Sequence, residues 1–241
     1  MKSQELIRTL HYLKKPVFTI NDAAKITGKG KSYLKLYLFR LKKRGLIQTA
    51  ERGKYFLPQN HLLAASSLIY PAYLSFLSAY SYYQITTQMP LKIQVVSRRQ
   101  KKELKLGEYL VQFIKFPQKK FFGYKKEEYN DGTLFVAEKE KAIVDSLYLP
   151  EYCPLDETFH AMENGIDVEK LVDYALRMDS IVLLKRLGYL LELREEDIYP
   201  KVKKKFNKRY DLLNPQLKVE KKHKTSRRWR LILNEQFEND K

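Results

Sequence analysis

Residues 17–57 read VFTINDAAKITGKGKSYLKLYLFRLKKRGLIQTAERGKYFL, and the order of signals within them decides the fold of the N-terminal region. Val17 to Ile20 is a short β-prone run. Asn21 or Asp22 is placed to cap a short helix over Ala23–Thr27, which Gly28 ends. After the Gly28-Lys29-Gly30 turn, Ser32 is expected to cap a longer helix reaching Arg44, where Gly45 stops it. Its apolar stripe is Leu34, Leu38 and Leu41 with Tyr37 beside it, while Lys31, Ser32, Tyr33, Lys35, Phe39 and Arg40 face the other way. Leu46 to Thr49 begins a strand, Glu51-Arg52-Gly53-Lys54 makes a hairpin tip, and Tyr55-Phe56-Leu57 returns. Upstream, Leu6, Ile7, Leu10 and Leu13 recur at helical spacing, so Ser3 to Leu13 reads as an amphipathic helix capped by Ser3 and ended by Lys14-Lys15-Pro16.

Three helices followed by a β-hairpin is the winged helix-turn-helix pattern, in which the helix after the tight turn enters the major groove and the wing reaches the backbone or minor groove. On that reading Lys31, Ser32, Tyr33 and Lys35 sit nearest the base edges, because the N-terminal half of the helix points into the groove. Lys29, Arg40, Arg52 and Lys54 hold phosphates, which sets register without reading sequence. Lys43 and Arg44, near the helix C-terminus, complement its dipole. The rival for such a module is a protein-interaction role. Gly30-Lys31-Ser32 resembles the end of a Walker A loop, but Lys25 stands where that motif needs its first glycine and no strand precedes it.

Charge supports the DNA reading. The chain has 241 residues and a net charge of +18, and the excess lies at its ends. Residues 1–60 carry 14 basic and 3 acidic side chains, residues 61–200 carry 18 and 20, and residues 201–241 carry 14 and 5. A neutral middle between two cationic ends points to an anionic partner. The 44% hydrophobic content excludes disorder over most of the length. One cysteine, Cys153, excludes a disulfide framework and fits a reducing cytoplasm. The expected division is residues 1–60 as a DNA-binding domain and residues 61–241 as an α+β domain with a basic segment over 201–241.

Between Tyr55 and Leu91 there is no Asp, Glu, Lys or Arg, a run long enough to raise a membrane span. Pro71 and five serines within Leu62–Tyr83 favour a core helix instead, with Pro71 at its first position and Ala72, Phe76, Ala79 and Tyr83 as its stripe. No signal peptide and no membrane partner are expected. Strand-like runs follow at Lys92–Val96, Tyr109–Phe116 and Phe121–Tyr129, the last turning at Asn130-Asp131-Gly132 into Thr133–Val136. Helical segments follow at Glu138–Leu149, Val168–Met178 and Ser180–Leu193. The class is α+β: an N-terminal winged helix-turn-helix, then a larger α+β domain with a small antiparallel sheet.

Three blocks carry a resemblance: Tyr70-Pro71-Ala72-Tyr73-Leu74-Ser75-Phe76-Leu77-Ser78-Ala79 continuing to Thr86-Thr87-Gln88, then Phe122-Gly123-Tyr124, then Ala137-Glu138-Lys139-Glu140-Lys141-Ala142-Ile143-Val144-Asp145-Ser146-Leu147-Tyr148. In this order they resemble the AbiEi antitoxin family, the antitoxin half of the AbiE type IV toxin–antitoxin systems. The likeness is strongest at residues 70–90 and 121–150 and weak beyond 155. It implies a repressor that binds inverted repeats of double-stranded operator DNA near its own promoter and counteracts a nucleotidyltransferase toxin. Symmetric repeats would favour a homodimer on DNA, although no heptad and no exposed apolar helix identifies a dimer surface in the sequence.

The rival from another class is a metal-dependent nucleic-acid-processing enzyme. Glu138, Lys141 and Asp145 share one face of a helix, as a carboxylate pair with a lysine would in a nuclease. The structural alternative is a dipole-favoured Glu138 and an ion pair to Lys141. Glu103-Leu104-Lys105 lacks an upstream Asp, and Glu220-Lys221-Lys222 lacks strand character. His11, His61, His160 and His223 are isolated, so no metal site, catalytic residue or cofactor is expected. In the tail, Trp229 and Leu231-Ile232-Leu233 suggest a docking strand among the lysines, a surface that suits DNA or an acidic protein.

Overall fold

The computed structural model describes residues 3–130, 132–221 and 223–237. The chain is α+β and separates into two compact units, 1–74 with 90–136 and 75–89 with 137–241. The division therefore does not fall at residue 60: the first sixty residues belong with a sheet formed further along the chain.

The first unit opens with α1 (Ser3–Tyr12), β1 (Val17–Thr19), α2 (Ile20–Thr27), α3 (Lys31–Lys43), β2 (Gln48–Glu51) and β3 (Lys54–Phe56). The Ser3 side chain expected to cap α1 lies outside the described residues. α2 begins earlier than its sequence suggests. Thr19 is its cap: its hydroxyl accepts from the Asp22 amide at 3.2 Å while the Asp22 carboxylate accepts from the Thr19 amide at 2.8 Å. Asp22 thus serves as the third residue of a reciprocal capping box rather than as the cap itself. Burial opposes ionisation of Asp22, but Lys15 at 2.5 Å and the Thr19 bonds hold its carboxyl below the usual carboxylate value. Gly28 ends the helix at φ 65°, a left-handed turn that costs a glycine least. α3 is capped by Gly30, with no side-chain bond, and Ser32 lies inside its first turn.

Leu6, Leu10, Phe18, Ala23, Leu34, Leu38, Leu41, Ile47 and Leu57 close one hydrophobic core over these elements. The three strands form an antiparallel sheet in the order β1-β3-β2, with Glu51 opposite Lys54 and the chain turning through Arg52 and Gly53.

α4 (His61–Ser67) leads into β4 (Ala72–Leu74), β5 (Lys92–Ser97), β6 (Leu104–Leu106), β7 (Tyr109–Lys115), β8 (Tyr124–Tyr129) and β9 (Gly132–Ala137). They form a six-stranded mixed sheet in the order β6-β7-β5-β4-β9-β8. β5 runs parallel to β7 and antiparallel to β4, while Leu74 of β4 pairs in parallel with Val136 of β9. The helix expected to start at Pro71 is thus corrected. Ala72, Tyr73 and Leu74 are a fully buried central strand, and the helix begins only at Phe76. A strand covered on both faces has no alternation, and a short apolar run reads equally well as a buried helix. Asp131 of the expected turn lies outside the described residues.

Within this unit the hairpin is tied to the sheet. Glu51 is bound by both Lys54, at 2.9 Å, and Lys101. Burial raises the Glu51 carboxyl, yet the two ammonium groups outweigh it and hold the group below its ordinary value. At Gly107, in the β6–β7 turn with φ 65°, a Cβ would lie 2.7 Å from Gln48 Oε1 and 2.8 Å from His61 Nε2.

The second unit is mainly helical: α5 (Phe76–Tyr83), α6 (Lys139–Tyr148), α7 (Leu155–Ala161), α8 (Val168–Arg177), α9 (Ile181–Glu192) and α10 (Tyr199–Val202). α6 is its centre, packed against α5, α7, α8 and α9 and buried from Glu140 to Leu147. Asp167 and Ser180 cap α8 and α9 through their side chains. A small sheet of β10 (Asp211–Leu212), β11 (Lys224–Ser226) and β12 (Leu231–Leu233), in the order β10-β12-β11, carries the basic tail. The tail is docked. Trp229 is fully buried against Gly188, Tyr199 and Phe206, and the Lys185 ammonium donates to Asn207, to the Arg209 carbonyl and to Asp211. Among the described residues no helix is long and apolar enough to cross a membrane.

Candidate nucleic-acid interface

α3 owes its orientation to Leu34, Leu38 and Leu41, which are buried to 1% exposure or less and pin one face to the N-terminal core. The outer face follows from 3.6 residues per turn. Its midline is Ser32, Leu36, Phe39 and Lys43, at spacings of four, three and four. Lys31, Lys35 and Lys42 line one side, Tyr33 and Arg40 the other, and all nine side chains are exposed. Tyr33 stacks on Tyr37, with ring centroids 5.9 Å apart and planes 15° apart, which fixes the ring at the edge of this face. Burial first, and the Tyr33 and Glu5 side chains next, push the Tyr37 hydroxyl above its usual pKa.

The eight residues expected to contact DNA are placed as follows. Lys31 and Lys35 are one helical turn apart on one flank, Ser32 and Tyr33 lie in the same first turns, and Arg40 follows on the second flank. Lys29 is exposed in the turn before the helix, and Arg52 at the hairpin tip. Among the described residues Lys29, Lys31, Lys35, Arg40 and Arg52 make no ion pair and no side-chain hydrogen bond, so five cations are held out to solvent by a closed core. Lys54 differs: it is half-buried and paired with Glu51. The sequence reading passed over Leu36 and Lys42. The signal was present, since Leu36 falls outside the Leu34-Leu38-Leu41 stripe and between Ser32 and Phe39 on the opposite face.

The second constellation, on α6, is built differently. Lys141 and Asp145 are both fully buried and ion-paired, and the Ser75 hydroxyl donates to Asp145 at 2.8 Å. Glu138 caps the helix at its start and accepts instead from Lys170, at 2.9 Å, and from the Tyr174 hydroxyl. Burial and the adjacent Glu138 carboxylate push that phenol up to about 12. Glu138 and Asp145 are two turns apart, ~10 Å along the axis, which is too far for one metal ion to bridge. Among the described residues no group of three His, Cys, Asp or Glu side chains is placed to hold a metal. The Cys153 thiol is buried, and desolvation pushes it up to about 12, the opposite of an activated nucleophile.

On the basic tail, Lys203, Lys204, Lys205 and Lys208 are exposed and have no ion-pair partner among the described residues. Arg228 is held by Glu192 and by Asp197 at 2.6 Å. Lys222 lies outside the described residues.

No family model and no curated protein matches this chain. Among solved structures, the chain is similar to the crystal structure of the RV2827C protein from Mycobacterium tuberculosis, with a TM-score of 0.68 and 13% sequence identity over 95% of this chain and 90% of that one. At that identity the likeness is one of fold.

Proposed function

We propose that the chain is a DNA-binding transcriptional regulator of the AbiEi antitoxin type, acting in the cytoplasm. In this reading α1 to α3 and the β2–β3 hairpin are a winged helix-turn-helix, α3 enters the major groove, and Arg52 on the wing reaches the backbone. The carrying observation is the outer face of α3. Lys31, Lys35 and Arg40, with Lys29 before the helix and Arg52 on the wing, are exposed cations without a protein partner among the described residues. A helix with its side chains is 10–12 Å across, matching a major groove of ~12 Å. Repression follows from occupying operator repeats, and a nucleotidyltransferase toxin is the second partner that the AbiEi resemblance implies.

The nuclease alternative draws no support from the site. Asp145 is fully buried with Lys141 and Ser75, where no nucleic acid reaches it, and Glu138 is bound by a different pair of side chains.

Gel-shift titration of the full chain against the DNA upstream of its own gene tests the proposal. Affinity at least about a thousandfold above that for random duplex supports a specific regulator. Equal affinity for both duplexes removes the operator reading. A nucleotidyltransferase encoded next to the gene and co-purifying with the chain supports the antitoxin part.

A further inference from the structure

The centre of the α3 midline is apolar, and the charge lies on its flanks and at its C-terminal end. Leu36 is 52% exposed and Phe39 is 62% exposed, one turn apart at the centre of the outer face, with cations along both sides. Large apolar side chains at the centre of an otherwise charged face gain free energy only when another apolar surface removes them from water. The flanking Lys31, Lys35, Lys42 and Arg40 state what that surface belongs to: two walls of negative charge with an apolar strip between them. A major groove has this form. Phosphates line its edges, and the one apolar group that any base pair presents on its floor is the 5-methyl of thymine. Leu36 and Phe39 hold the centre of the midline and carry no hydrogen-bonding group for a base edge, while Ser32 and Lys43 stand at its two ends.

We infer that Leu36 and Phe39 read the 5-methyl groups of thymine, so that the chain selects duplexes with thymine at fixed positions in each half-site. The inference rests on the DNA-binding reading above and adds its specificity. Lys31 and Lys35, expected from the sequence at the base edges, then stand at the groove walls with Arg40 and Lys42 and supply affinity that is nearly independent of sequence, while the two apolar side chains supply the discrimination.

The test uses the full chain, a random-sequence duplex library to enrich bound sites, and the enriched duplex resynthesised with deoxyuridine in place of thymidine. Uracil lacks only the methyl group. The expected result is enrichment of thymine at fixed positions and a loss of about fourfold in affinity per contacted methyl, the worth of one buried CH2. Leu36→Ala with Phe39→Ala is expected to bring the thymine-to-uracil ratio to about one while leaving the salt dependence of binding unchanged. Both side chains are exposed, so the fold tolerates their truncation, and the uracil duplex tests the same point on the unaltered chain. Salt-dependent binding that is equal on the two duplexes overturns the inference and leaves the DNA-binding reading standing. Conversion of a dimer to a monomer by the double variant, with discrimination unchanged, overturns it in favour of a self-association face. Absence of binding to any duplex overturns both.

Discussion

α3 and α6 carry charged residues at the same helical spacings, and the two helices use them in opposite ways. On α3, Lys31 and Lys35 stand one turn apart with no carboxylate in the first turn of the helix. On α6, Lys141 and Asp145 stand one turn apart with both side chains at 0% exposure, closed by Ser75. Spacing alone says only that two residues share a face. What the face does depends on whether it is dry. A buried pair must neutralise itself, and removing one member strands the other. An exposed cation row with no internal partner contributes little to stability and is available to an external anion. The first arrangement builds a fold and the second leaves a function open.

This contrast can be broken at either helix, and the largest effect is expected on α6. Asp145→Ala leaves a lysine ammonium in the core and should cost about 3–5 kcal/mol in denaturant unfolding, while duplex affinity of the remaining folded protein stays unchanged. A loss of less than ~1 kcal/mol would mean that water reaches the pair and that the distinction between the helices is false. A second strain on the same unit is Gly188→Ala. The added Cβ would meet Trp229 at 1.9 Å, so the docked tail must move, with an expected destabilisation of about 1–3 kcal/mol. Limited proteolysis should then cut within 200–230 in the variant only. Equal resistance in both proteins would contradict the docking of the tail through Trp229.

The mirror experiment on α3 is Lys31→Ala with Lys35→Ala. Unfolding free energy should stay within about 0.5 kcal/mol, and duplex affinity at moderate salt should fall by about tenfold, or ~1.4 kcal/mol. Unchanged affinity would place the DNA-contacting surface elsewhere, the exposed tail lysines being the next surface to test.

The smallest effect concerns pH in the first unit. His61 packs between Phe56 and Tyr109, with ring centroids 5.6 and 4.9 Å away. Burial lowers its pKa, against a smaller opposing pull from Glu108. The unfolded chain therefore takes up the proton first. Stability is full above the free histidine value of about 6.5 and declines as the pH falls through it, down to the lowered folded value. Melting temperature measured from pH 7.5 to 5.5 should fall in the wild type and fall less in His61→Gln. Parallel curves would assign the acid sensitivity to other groups.

Most of the N-terminal region was legible because its signals are local. The Leu34-Leu38-Leu41 stripe, the left-handed Gly28 and the Arg52-Gly53 tip each depend on a few neighbouring residues. The cap of α2 was misplaced because Asp22 suits both the cap and the third helical position, and only the partner at Thr19 decides between them. β4 was misread for a non-local reason: Ala72, Tyr73 and Leu74 are strand because β5 and β9 flank them, a fact absent from their own periodicity. The sheet was expected to be small and antiparallel. A small antiparallel sheet is present as β1-β3-β2 in the N-terminal region, but the sheet expected in the larger domain is six-stranded and mixed, because crossovers that a linear reading does not reveal pair β5 with β7 and β4 with β9 in parallel. The candidate interface was legible as charge, which composition displays directly. Leu36 was legible only by position, as a leucine outside the Leu34-Leu38-Leu41 stripe, and its residue type pointed the other way. Glu138 and Asp145 shared a predicted face, yet their partners Lys170, Tyr174 and Ser75 come from other elements.

The central claim is that the exposed cations of α3 and the hairpin tip meet phosphates, and the salt dependence of duplex affinity tests it most directly. With Lys29, Lys31, Lys35, Arg40 and Arg52 engaged, the logarithm of the association constant should fall with the logarithm of salt at a slope of about −4.5 per chain, and Lys31→Ala with Lys35→Ala should make the slope shallower by about two. A wild-type slope near zero, or a double variant with the wild-type slope, would contradict the account.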